Sequence, residues 1–138
     1  MSSWTTPVTD WTSSDYYNYG DVNRVEGNTE YVKDLLISAG YSPSLASIVK
    51  TWANTSILFY DDLNRIENNI KALKDCSYEP LNWITPVTDW ATLDVFDYND
   101  AIRLESNLYE LKTMVDNIIS AFLKCGTFKA GQGNNGIF

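Results

Sequence analysis

The chain has 138 residues, enough for one domain with a substantial core, and with 44% hydrophobic and 14% aromatic residues it is not a disordered segment. Its formal charge of −8 opposes nucleic-acid phosphates and anionic membranes, so neither is an expected partner. Histidine is absent, which removes the usual general base, the commonest zinc ligand and the proton shuttle together, and no enzymatic activity is expected.

Met1-Ser-Ser-Trp4 carries neither the basic nor the apolar stretch of a signal peptide, and no run reaches the length of a membrane span, so synthesis in the cytoplasm is expected. The first ordered element is an arm, Trp4-Thr-Thr-Pro-Val-Thr-Asp-Trp11, in which Pro7 biases Thr6 to extended backbone. A helix follows from Tyr19, with Asn18 as N-cap and Asp21 adding negative charge at the positive end of the helix dipole. Its apolar seam is Val22, Val25, Thr29, Val32 and Leu36, at spacings of three and four. Ala39-Gly40 ends it, and Ser42-Pro43 predicts a short helix from Pro43 to about Lys50. A second long helix starts near Tyr60 with the seam Leu63, Ile66, Ile70 and Leu73, but Phe59 stands where a capping side chain belongs.

A second arm, Trp83-Ile-Thr-Pro-Val-Thr-Asp-Trp90, differs from the first at one position. Asp97 then caps a third helix, Tyr98 to about Cys125, with the seam Ala101, Leu104, Leu108, Leu111, Val115, Ile118 and Phe122 and a length of about 40 Å. Gly126 ends this helix, and the Gly-rich stretch to Phe138 is predicted to be extended. Phe128, Ile137 and Phe138 are apolar groups that a free soluble tail has no use for, which predicts that this tail docks in an assembly.

These elements are one phrase written three times. Trp11, Trp52 and Trp90 are each followed eight residues later by Tyr19, Tyr60 and Tyr98, opening W-x7-Y-x-D-x-[NI]-R-x-E-x-N. The period of roughly 40 residues makes each copy one supersecondary unit. The expected fold is all-α: three helical repeats forming a small bundle over 1–125, at about 4–41, 42–79 and 80–125, each a long helix plus a Trp-bearing extended loop, with an extended Gly-rich tail over 126–138.

The recurring polar residues are Asp21, Arg24 and Asn28, then Asp62, Arg65 and Asn69, then Asp100, Arg103 and Asn107. On a helical wheel each trio falls within about 60°, beside the seam, with Glu26 pointing away. Asp–Arg pairing at i,i+3 and bonds from Arg and Asn to the preceding loop predict a clamp of loop to helix within each repeat. The three tryptophans are expected to be core anchors against the helix that follows. Tyr16 and Tyr17 are expected to pack, since the other copies carry Ile57-Leu58 and Val95-Phe96 there. Asp61-Asp62 and Asp97 with Asp100 lack the spacing of a calcium loop and specify no reaction, so no metal, cofactor or catalytic residue is expected. Cys76 and Cys125 lack a C-x-x-C spacing and are read as reduced.

The phrase from Asp10-Trp11 through Asn28 resembles modules of structural proteins of phages and prophages of Gram-positive bacteria, in small virion, tail, baseplate or fibre components. The resemblance covers nearly all of residues 4 to 123; the third copy departs from it with Ile102 in place of Asn23 and Asn64, and the middle copy lacks Pro-Val-Thr-Asp. It implies assembly with other virion proteins and with copies of itself as a homo-oligomer, and location in the virion. Two other roles fit the sequence: a small acidic phage-encoded inhibitor of a host protein, and a carbohydrate-binding receptor-recognition module, the latter requiring exposed aromatics.

Overall fold

The computed structural model describes residues 3–56 and 58–126, with side chains to 123. Three helices are present among them: α1 (Tyr19–Ser38), α2 (Tyr60–Asp75) and α3 (Tyr98–Gly126). No strand occurs among the described residues, and the three helices pack on one another in every pairing, a small all-α bundle. The residues after 126, including Phe128, Ile137 and Phe138, lie outside the described residues, as does the side chain of Cys125.

Each helix begins where the phrase begins, for a local reason. The Asn18 side chain accepts from the Gly20 and Asp21 backbone N–H groups, and Asp97 does the same for Asn99 and Asp100. In return Asp21 and Asp100 accept the N–H of their cap residue, completing capping boxes. Phe59 cannot cap, yet Asp62 still accepts its N–H at 3.0 Å, so half the box survives in α2. α1 stops at Gly40, whose φ of 96° lets the Tyr41 N–H reach back to the Leu36 carbonyl and the Gly40 N–H to that of Ile37.

The predicted seams are the core. Val22, Val25, Val32 and Leu36 meet Ile66, Ile70 and Leu73 and Leu104, Leu108, Leu111 and Val115, all buried. The seam of α3 outruns its neighbours: Ile118 is half-buried, while Phe122 and Leu123 are 56% and 68% exposed. Counted from the shared tyrosine, α3 extends nine residues beyond the last turn of α1, about 13 Å of helix.

One predicted element is absent. Residues 43–50 form no helix and run extended, as the two Pro-bearing arms do. The bundle supplies this arm with fixed partners: the Ala46 N–H donates to Asn69, the Val49 N–H to Glu26 and the Trp52 N–H to Asn23. An isolated eight-residue helix is marginal, so these bonds override the local Ser-Pro start signal.

Candidate functional site

The repeated polar residues converge on three buried carboxylates. Glu26, Glu67 and Glu105, the glutamates of the phrase, are among the most buried side chains of the protein, each 1–2% exposed. Each accepts four bonds from the same three kinds of donor. Glu26 accepts the Trp52 indole N–H at 2.7 Å, the Val49 backbone N–H at 3.1 Å and both ends of the Arg65 guanidinium at 2.6 and 2.9 Å. Glu67 receives Trp90, Val87 and Arg103, and Glu105 receives Trp11, Val8 and Arg24. An ionised carboxylate in the interior survives only with such a complement of donors and a counter-charge.

The pairs close a ring. Arg65 of α2 serves Glu26 of α1, Arg103 of α3 serves Glu67 of α2, and Arg24 of α1 serves Glu105 of α3. Every helix therefore gives its arginine to one neighbour and its glutamate to the other, a pseudo-threefold arrangement within one chain. Each arm bridges two helices: Asn28, Asn69 and Asn107 hold Thr5, Ala46 and Ile84 of their own arms through paired backbone bonds, while the far end of each arm lies on a different helix.

This geometry corrects three expectations. Trp11, Trp52 and Trp90 anchor against the glutamates of α3, α1 and α2, not the helix that follows each. Trp90 is buried and the other two are half-buried. The arginines do pair with Asp21, Asp62 and Asp100 of their own helices, at 2.9, 3.9 and 2.8 Å, but their principal partner is a glutamate from another repeat. Glu26 does not point to solvent: on the wheel it lies about 80° from the centre of the seam, on the flank opposite Arg24, and in a closed bundle that flank faces the next helix.

The departure at Ile102 has a structural consequence. Asn23 and Asn64 each accept the backbone N–H of the next tryptophan and donate to its carbonyl, at Trp52 and Trp90. The equivalent position facing Trp11 is Ile102, and that clamp is missing from the joint that closes first repeat onto last. A further recurrence lies five residues past each Asn: Lys33, Lys74 and Lys112. Lys74 stands over the Trp83 ring at 5.8 Å and Lys112 over the Trp4 ring at 5.4 Å, where the middle arm has Leu45 and no ring to cover.

Charge follows from these contacts. The bonds to Glu105 push the Arg24 pKa up against the opposing effect of its burial, and those to Glu26 do so for Arg65. For Arg103, burial opposes the charge and the bonds to Glu67 and Asp100 outweigh it. Cys76 is a free, half-buried thiol whose pKa burial raises, which makes it a poor nucleophile. No cluster of three or more His, Cys, Asp or Glu suited to a metal occurs among the described residues, and no described helix is long and apolar enough to cross a membrane.

The aromatics divide between two ends. Trp4 packs on Tyr31 with a ring separation of 5.6 Å near the C-terminal half of the helices, whereas Trp11 packs on Tyr17 at 5.0 Å beside the helix starts. Tyr17, Leu58 and Phe96 pack against the core as expected, but Tyr16 and Val95 are 90% and 80% exposed; Ile57 lies outside the described residues. No protein family, curated protein or solved structure matches the chain.

Proposed function

We propose that the chain is a structural or adaptor component of a bacteriophage or phage-like particle, associated with its tail, baseplate or fibre, and acts by protein–protein assembly. Its partners are other particle proteins and copies of itself, and it performs no catalysis. The observation that carries this reading is where the repeated polar groups are used. Each Glu, Arg and Asn of the phrase is consumed by bonds inside the bundle, so the motif builds a rigid body and presents no reactive group. Exposed apolar side chains are left on the outside, among them Leu81 and Leu93 on the loops and Phe122 and Leu123 at the overhanging end of α3 next to half-buried Ile118. The likeness of the phrase to phage modules supplies the biological setting.

Mass spectrometry of purified particles, induced from a strain that encodes the chain, tests the setting. The chain should be found at a fixed ratio to the tail proteins. Light scattering on the full chain, and on one lacking residues 127–138, tests the assembly role: the full chain should form a defined oligomer that the deletion weakens while melting temperature stays unchanged. Absence from particles together with a monomer at every concentration overturns the proposal.

A further inference from the structure

Around the helix starts, the same crevice is built three times between one repeat's first helical turn and the next repeat's tryptophan turn. The three copies differ in size. The one against Trp52 has a volume of about 460 Å³, the one against Trp90 about 290 Å³ and the one against Trp11 about 80 Å³. The residue that follows each tryptophan turn explains the series: Leu58, Phe96 and Tyr17 stand at equivalent places, and the larger the side chain the smaller the space. Tyr17 fills its own copy by packing on Trp11 at 5.0 Å and on Phe96 at 5.1 Å. Leu58 leaves the Trp52 copy open, at a volume usual for small-molecule clefts.

We propose that this crevice is a binding site for a neutral saccharide of one or two rings. Its walls combine two kinds of surface. Trp52, Tyr17 and Phe96 line it with aromatic surface on which the apolar side of a sugar ring can rest. Around them stand polar groups with bonding capacity left over. Among the described residues the Tyr16 and Tyr19 hydroxyls have no hydrogen-bond partner, Asn18 caps the helix through its oxygen and makes no bond through its amide N–H, and Asp15 uses one carboxylate oxygen on the Thr12 N–H and hydroxyl and leaves the other. Donors and an acceptor around an apolar floor match the alternation of hydroxyl edge and C–H face on a pyranose. A purely apolar ligand would strip water from Asp15 and Asn18 without replacing it. Anions meet the Asp15 carboxylate and a chain of charge −8. The site does not depend on whether the chain belongs to a particle, so either reading can fail without the other.

The test is a titration of the full chain with N-acetylglucosamine, methyl glucoside, maltose, cellobiose and lactose, followed by the NMR resonance of the Trp52 indole N–H, with choline as a cationic control. At least one sugar should shift that resonance with a Kd in the millimolar range. Leu58→Phe, which installs the residue of the third repeat, should weaken binding about tenfold or more with the remaining spectrum unchanged. Tyr16→Ala, at a side chain 90% exposed, should also weaken it, and decides the matter if Leu58→Phe disturbs the fold. No shift with any of the sugars, a shift with choline alone, or sugar binding unaltered in both variants overturns the proposal.

Discussion

Replacing Glu67 by Gln keeps the shape of the side chain and removes its charge, which isolates what the carboxylate does in the ring. In the native protein Glu67 is 1% exposed and accepts from the Trp90 indole at 3.1 Å, the Val87 N–H at 3.3 Å and two nitrogens of Arg103. The amide has one acceptor oxygen where the carboxylate had two, and its NH2 must face either an indole N–H or a guanidinium. Arg103 keeps Asp100 at 2.8 Å but is otherwise left charged in the interior. Breaking one side of such a buried pair costs about 3–5 kcal/mol. A domain of this size has a total stability of roughly 7–20 kcal/mol, so the loss is a large share of it. Urea unfolding followed by helical circular dichroism should show a lower midpoint at unchanged slope, and heating a Tm lower by about 10–20 °C. Arg103→Met should cost a similar amount. The double variant Glu67→Gln/Arg103→Met should cost less than the sum of the two, because it leaves neither charge unpaired. A loss below about 1 kcal/mol for Glu67→Gln, or strict additivity of the pair, refutes the view that the ring holds the bundle together.

Truncation of the tryptophans to Ala should cost about 3–5 kcal/mol for buried Trp90 and less for half-buried Trp11 and Trp52, an order that chemical denaturation reads directly. Ile102→Asn should supply the missing clamp on the Trp11 backbone and raise stability by about 0.5–1.5 kcal/mol, visible as a higher urea midpoint. Burial, with the charge of Glu105 adding to it, holds the Tyr17 pKa well above the usual phenol value. A raised folded-state pKa means that the contribution of Tyr17 is whole below about pH 10, the unfolded value, and is lost as pH rises above it. Tyr17→Phe should therefore flatten the alkaline decline of stability, and an unchanged slope between pH 9.5 and about 11.5 refutes the assignment.

Much of the architecture is legible in the residues. Seam spacing locates the core of each helix, and Asn18, Asp97 and Gly40 mark ends through bonds that reach no farther than one turn. The partners of the repeated residues are not legible, because they belong to closure of the bundle. A wheel drawn for one helix puts Glu26 far from Arg24, whereas only the packing of α2 on α1 shows that the flank carrying Glu26 meets the flank carrying Arg65. The same cause misleads at residues 43–50, where local signals favour a helix and Asn69, Glu26 and Asn23, remote in sequence, fix an extended arm. Lys33, Lys74 and Lys112 recur as strictly as the arginines and were findable by extending the phrase past its last Asn. The open crevice at Trp52 depends on the relative bulk of Leu58, Phe96 and Tyr17, a comparison with no meaning until the three are known to be equivalent.

The joint between first and last repeats sets the order in which the molecule can be completed. Glu105 is bonded to Val8, Trp11 and Arg24, which precede it by 97, 94 and 81 residues. During synthesis the first arm and Arg24 leave the ribosome long before α3, and their carboxylate does not exist until most of the chain has been made. The inner joints, at separations of 20 to 39 residues, have both partners available once the next repeat has emerged. Until α3 is made, the indole of Trp11 and the guanidinium of Arg24 lack the carboxylate that both of them bond in the finished ring. This joint closes the largest loop of the three and has to be made after the other two become possible. At high concentration an α3 from a neighbouring chain offers those waiting groups the same glutamate, so the pseudo-threefold ring carries within it a route to exchanged dimers.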